Sequence, residues 1–443
     1  MSSLQTMTNL RYKRYAKFEG LQNAVASVAI SADGKYIAAA GLFGSAVWNL
    51  MSLESLTLPG VGEKHLYSTS AWLCFDDGRG KTSRYVLILG SLKGDISALD
   101  VDEEKMELQA KRLPIARSIV QQVVSLDVQQ PEAGNRSHAR IVASFGDSIV
   151  KCWTLSLDGD FHLMFCMTPE PSFLPKTVCF LKESQHVLAF SKEGGICELL
   201  DCISGRVIQH FANGCHMMAW VSMDQTSSRF VASTGYGFHL FDSNTLRYIR
   251  SFAYDIDPRT PFPCQITFGE NGSKVVGGTD QGEALLFDSH SGLLEQRLKC
   301  PTDELIQAVT TCTLEDKYYI AVAGSASGHP SDVIVWCKLR TQAPVHQSRV
   351  SKKKKADSII FAVHKSSVIF LVYVLAGVIV LLIALFSRPR LQISPSLGHF
   401  LKHNIKNFLT KLACFLEILK SLVRIFEKKA LNTLGLQYVN ATD

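Results

Sequence analysis

The sequence predicts an all-β fold, a seven-bladed β-propeller over residues 1–340, followed by a single transmembrane helix at 366–386 and a C-terminal amphipathic helix at about 397–430. Three observations predict it: a unit that recurs seven times, an uncharged run of 21 residues after the last copy, and a reversal of charge between the two regions.

Each repeat runs through a strand, a turn, a strand of small residues, a second turn and a third strand that closes on an aromatic residue or Leu with its partner. The first copy, VASVAISADGKYIAAAGLFGSAVWNL (25–50), turns at Ala32, Asp33 and Gly34, and QITFGENGSKVVGGTDQGEALLFDSHSG (265–292) is the sixth. The closing dipeptides are Trp48-Asn49, Leu99-Asp100, Trp153-Thr154, Leu200-Asp201, Phe241-Asp242, Phe287-Asp288 and Trp336-Cys337, spaced by 51, 54, 47, 41, 46 and 49 residues. A period a little above forty, with short strands and Gly or Asp turns, is the mark of four-stranded propeller blades. A lone blade leaves both faces bare, whereas a closed ring packs every blade on two neighbours and leaves no long open edge. The last repeat stops near Arg340 after its third strand, and LRYKRYAKFEG (10–20) precedes the first repeat as a strand without a blade. Residues near Tyr12 to Phe18 are therefore expected to supply the outer strand of the last blade.

A basic linker (341–365) leads to SSVIFLVYVLAGVIVLLIALF (366–386), which as a helix spans roughly 31 Å at about 1.5 Å per residue, the thickness of a hydrocarbon core. Cations bracket it: Lys352, Lys353, Lys354, Lys355 and Lys365 before, Arg388 and Arg390 after. All seven are candidate lipid contacts, and the tetralysine fits a juxtamembrane cluster gaining about 1 kcal/mol per cation from anionic lipid. With Arg349 upstream and Lys402 and Lys406 downstream, six cations precede the span and four follow it, which places the propeller in the cytosol. N-glycans at Asn135 (NRS) or Asn271 (NGS) would show the reverse. RYKRYAK within the first twenty residues leaves no room for a secretory signal. In the tail (387–443), Phe400, Ile405, Phe408, Leu412, Phe415 and Leu419 fall at helical steps opposite Lys402, Lys406, Lys411, Lys420 and Arg424. That pattern suits a helix in the headgroup layer or one packed on a partner.

Charge separates the same two regions. The chain carries 46 Lys plus Arg and 40 Asp plus Glu, but residues 1–345 hold 31 basic against 36 acidic (−5) and residues 346–443 hold 15 against 4 (+11). An acidic propeller argues against nucleic-acid binding. At 47% hydrophobic and 19% charged residues the chain folds, with enough length for one large core or two ordinary ones. Its 12 cysteines form no C-x-x-C and read as buried thiols in a reducing compartment.

No catalytic, cofactor or metal site is expected. There is no phosphate-binding G-x-x-x-x-G-K-[ST], GSASG (324–328) has Ala326 where a nucleophile elbow needs Ser, the propeller histidines are dispersed, and His399 and His403, four apart, have no further Cys, Asp or His to complete a metal set. The acidic run DVDEEKME (100–107) reads as a solvated loop.

The repeats resemble the WD40 family over roughly residues 10–340, although no Gly-His opens a repeat and no third strand ends in Trp-Asp. FGENGSKVVGGTDQGEALLFD (268–288) and YKRYAKFEGLQNAVASVAISADGKYIAAAG (12–41) look like the WD40-repeat-like proteins of mushroom-forming fungi. The resemblance implies the fold and little chemistry; the propeller together with the apolar span predicts a membrane-tethered, non-catalytic scaffold at the endoplasmic reticulum or another endomembrane, holding protein partners on a propeller face. The layout is also similar to that of the exchange factors that load a coat GTPase at the endoplasmic reticulum. Those carry a glycine-rich loop in the first blade, where this chain has the short AAAGLFGSAVW (38–48).

Overall fold

The computed structural model describes residues 11–340, except residue 22 and segments 59–65, 77–81, 112–120, 132–137, 182–184, 213–216, 225, 227, 235–236, 254–258, 260–263, 302–304 and 326–329. The linker, the 366–386 span, the 397–430 helix and the seven candidate lipid contacts from Lys352 to Arg390 lie outside the described residues. No helix among the described residues is long and apolar enough to cross a membrane.

Strand β1 (Lys13–Leu21) precedes seven antiparallel sheets. Blade 1 is β2 (Val25–Ile30), β3 (Tyr36–Gly41) and β4 (Gly44–Asn49), and blade 2 is β5 (Tyr67–Asp76), β6 (Thr82–Ser91), β7 (Ile96–Asp102) and β8 (Glu107–Lys111). Blade 3 is β9 (Val123–Gln129), β10 (His138–Phe145), β11 (Val150–Ser156) and β12 (Phe161–Met167); blade 4 is β13 (Pro175–Phe180), β14 (His186–Ser191), β15 (Ile196–Asp201) and β16 (Val207–Ala212). Blade 5 is β17 (Trp220–Met223), β18 (Arg229–Ser233), β19 (Phe238–Asp242) and β20 (Tyr248–Phe252). Blade 6 is β21 (Ile266–Gly269), β22 (Lys274–Gly278), β23 (Glu283–Asp288) and β24 (Leu294–Lys299). Blade 7 is β25 (Ile306–Thr313), β26 (Lys317–Gly324), β27 (Ser331–Leu339) and, as its outer strand, β1. The first strand of each blade touches those of its two neighbours, from β2 through β25 and back to β2. The ring is closed, and all seven closing dipeptides lie on third strands.

The closing strand is the one anticipated. β1 runs antiparallel to β27 with Lys13 opposite Cys337 and Phe18 opposite Val333. Tyr12 N donates to Gln296 Oε1 (3.0 Å) and Gln296 Nε2 donates back to Tyr12 O (2.8 Å), tying the start of this strand to blade 6 as well.

Two features depart from expectation. Blade 1 has three strands where four were expected. After Asn49 the chain pairs with β4 only briefly, with Leu56 N donating to Val47 O (2.8 Å). Thr57 N then donates to Met106 O (3.1 Å) and Leu108 N to Thr57 O (2.9 Å), so the segment serves blades 1 and 2 together. The core is also neither one nor two: buried apolar side chains form seven clusters, one at each seam between blades. Each sheet has two faces and buries both, which explains runs without alternation such as β3, whose six residues are all buried.

Candidate interaction surfaces

With the strands of a blade numbered outward from the axis, the connections from first to second and from third to fourth strand lie at one end of the ring. The chain also leaves blade 7 there, at Arg340. We call this the exit end.

At the exit end one turn recurs. Asp201 Oδ1 accepts from Ser204 N (2.7 Å), Ser204 Oγ (2.8 Å) and Ile203 N (3.2 Å). Asp242 does the same with Thr245 and Asn244, and Asp288 with Ser291 and His290. Asn49 and Asp102 hold the shorter backbone version. The residue four places after each carboxylate or amide has positive φ: Gly205 (68°), Leu246 (52°), Gly292 (78°), Leu53 (65°) and Met106 (53°). Short polar side chains that cap their own turn are the physical reason for Asp and Asn here. The donors hold these carboxyls below the usual carboxylate range: the Ser204 amide leads at Asp201, and the Thr245 hydroxyl leads at Asp242. At Asp288 burial opposes the effect but is outweighed by Ser291 and by Lys274, whose ammonium lies 2.9 Å away.

The acidic run 100–107 is the blade 2 copy of this turn. Glu103 and Glu104 are exposed there, and Glu103 meets Lys35 of blade 1 at 2.7 Å.

Seams are crossed by polar side chains too. Around the axis, Ser70 N donates to Ser27 Oγ (3.0 Å), Val178 N to Ser125 Oγ (3.2 Å), Phe180 N to Asp127 Oδ2 (2.8 Å) and Val309 N to Gln265 Oε1 (3.1 Å). Burial pushes the Asp127 carboxyl up to about 6, although Phe180 N and Val128 N both act to lower it. Farther out, Lys338 Nζ of blade 7 reaches both oxygens of Glu270 in blade 6 at 2.8 and 3.0 Å, with both side chains almost wholly shielded from water. The Tyr12 hydroxyl is pushed far up by burial and then by Glu270, so it stays protonated.

Large exposed apolar side chains concentrate at the exit end. Ile203, Val207 and Ile208 in blade 4, Tyr248 and Ile249 in blade 5 and Leu293 in blade 6 follow the capped turns or start fourth strands, with exposures from 40% at Ile249 to 68% at Leu293. At the opposite end the described residues of this kind are Phe43 and Leu174. Sequence reasoning missed this cluster. Its signal is the phase of the repeat: DCISGRVI (201–208) and DSNTLRYI (242–249) align residue by residue, and both put Arg-x-Ile where a solvent-facing outer strand begins.

The histidines His138, His162, His186, His210, His239 and His290 are spread over four blades, and no group of three or more His, Cys, Asp or Glu among the described residues is arranged to hold a metal. Six of the cysteines are buried thiols, Cys152, Cys179, Cys197, Cys202, Cys264 and Cys312. In blade 1 the second and third strands are joined by Leu42 and Phe43 alone. The chain is thus a closed seven-bladed propeller of a kind compatible with a WD40-like family. No protein-family model matches the chain, and no curated protein matches it either.

Proposed function

We propose that the chain is a membrane-tethered scaffold that holds protein partners on its propeller and carries out no chemistry itself, in the manner of the membrane-anchored WD40-repeat-like proteins of mushroom-forming fungi. The observation that carries the scaffold reading is the ring, closed on itself by β1 and β27. A closed ring is rigid and displays two sets of loops on fixed strands, which suits binding and leaves sequence freedom in the loops. Shifted carboxyls support the non-catalytic part, since Asp201, Asp242 and Asp288 are engaged in capping turns and Asp127 in a seam.

The tether rests on the uncharged run 366–386 and its flanking cations, the cation bias supports a cytosolic propeller, and the endoplasmic reticulum or another endomembrane is the proposed location. Proximity labelling from the propeller in native membranes, combined with alkaline extraction, tests the reading. Enrichment of cytosol-facing endomembrane proteins around a chain that resists extraction is expected. Release into the alkaline supernatant would remove the tether, and glycan on Asn271 would reverse the topology.

A further inference from the structure

We propose that the starts of β13 and β17, at the end of the ring opposite the exit end, form a binding site for an acidic segment of a protein partner, with Lys176 and Lys192 as its cations and Trp220 and Leu174 as its apolar wall. This rests on the scaffold reading above and names the chemistry of one partner.

The topology assembles the site. First strands begin at the end opposite the exit, so Lys176, second on β13, and Trp220, first on β17, stand beside the axis on the innermost strands of neighbouring blades. Lys192 follows β14 in the connection from second to third strand, which lies at the same end. Its N donates to Leu174 O (2.8 Å) and its O accepts from Met218 N (3.0 Å), which holds its backbone between the two strand starts. The Lys176 ammonium lies 4.8 Å from the centroid of the half-buried Trp220 ring, and Leu174, 41% exposed, immediately precedes β13.

Two cations are thus held together with nothing to neutralise them. A lysine that gives up much of its water is normally paired. Among the described residues, however, no carboxylate forms an ion pair with Lys176 or Lys192. Glu193, the next residue along, is exposed and pairs through its backbone with Met217. Burial, and then Lys192, hold the Lys176 amine below the usual lysine range, and no acidic group acts in the other direction. The ring of Trp220 is its one favourable electrostatic neighbour.

The surroundings select the occupant. Two ammoniums call for carboxylate or phosphate oxygens, and the apolar wall favours the former on a peptide, because a phosphate ion offers nothing to Leu174. A nucleic acid would bring continuous negative charge to a region that already holds 31 basic against 36 acidic residues. An Asp or Glu beside an apolar residue brings one charge for the lysines and a side chain for Leu174.

The test uses the full chain in detergent and a fluorescein-labelled peptide of four Glu-Glu-Leu repeats, with Gln-Gln-Leu repeats as the uncharged control, read by anisotropy. Lys176→Met keeps an apolar stem over Trp220 and removes the charge, and Lys192→Gln removes the second cation. Lys105→Gln, at the exit end, is the control substitution. Binding of the Glu peptide alone is expected, weakened about tenfold or more by either site substitution and unchanged by Lys105→Gln. Thermal unfolding of the Lys176→Met chain should be no lower than that of the parent; if it is lower, Lys192→Gln carries the test. Equal binding of the two peptides, or binding that both site substitutions leave unchanged, overturns the site. Lysine-dependent binding of inorganic phosphate or of an oligouridylate in place of the Glu peptide replaces the partner with a free anion or a nucleic acid. Proximity labelling that still recovers partners when the peptide fails leaves the scaffold reading standing without this site, whereas recovery of none removes the scaffold reading itself.

Discussion

Phe18 of the closing strand stacks on Trp48 of blade 1, ring centroids 5.0 Å apart and planes 23° from parallel. Both are almost fully buried in the cluster between blades 7 and 1, the seam where the two ends of the ring meet. Phe18→Ala removes a buried ring from a seam that joins residues as distant in the chain as Cys312, through its Sγ, and Ser31, through its O. The expected cost is about 3–5 kcal/mol, read as a lowered denaturant midpoint. Tyr15→Phe, which gives up one hydroxyl bond from an exposed position to Leu50 O, should cost no more than about 1 kcal/mol.

The Lys338–Glu270 pair makes an asymmetric prediction. Taking one partner away leaves the other charge buried, which typically costs about 3–5 kcal/mol. Glu270→Ala should show that loss in thermal unfolding. The double variant Glu270→Gln with Lys338→Met should recover much of it, because no charge is then stranded. Equal losses for the single and double variants would refute the account.

Asp127 predicts a pH dependence of a definite sign. Its folded-state pKa, about 6, lies above the usual carboxylate value, so the folded protein holds this proton more tightly than the unfolded chain does. The contribution to stability is therefore complete below about pH 4 and is lost as pH rises through 6. Asp127→Asn keeps an acceptor for Phe180 N without the charge. Its stabilisation should be on the order of 1–3 kcal/mol at pH 8 and shrink toward zero near pH 4, as measured by denaturant melts at the two pH values.

Much of this architecture was legible in the sequence because a propeller repeats its local rules. The third strands could be phased from their closing dipeptides, and β1 was recognisable as a strand with no blade because the last repeat lacked one. Blade 1's missing strand was not legible: Glu54 to Leu58 has an ordinary strand pattern, and only the nearness of β8 decides that Thr57 pairs across the seam. The exposed corner was overlooked for a related reason. Val207, Ile208 and Ile249 have the composition of core strands, and their exposure follows from sitting on the last strand of a sheet.

Glycines at the ends of second strands carry a meaning that turn chemistry alone does not convey. A Cβ on Gly41 would lie 2.1 Å from Ala24 O and one on Gly278 would lie 2.0 Å from Ile306 O. Both contacts are backbone, so no side-chain rotation relieves them. The approach also carries hydrogen bonds, since Leu42 N donates to Ala24 O (3.1 Å) and Gly278 N to Gln265 O (3.1 Å). Gly41→Ala and Gly278→Ala should each destabilise the ring by roughly 1–3 kcal/mol or more, the cost of forcing atoms into a packed site. Gly44→Ala, with open space around its Cβ but φ of 112°, should cost only the backbone strain of about 1–3 kcal/mol. Urea melts separate the two mechanisms when each glycine is compared as Ala and as Ser: the Gly41 and Gly278 variants worsen with the larger side chain, whereas the Gly44 variants do not.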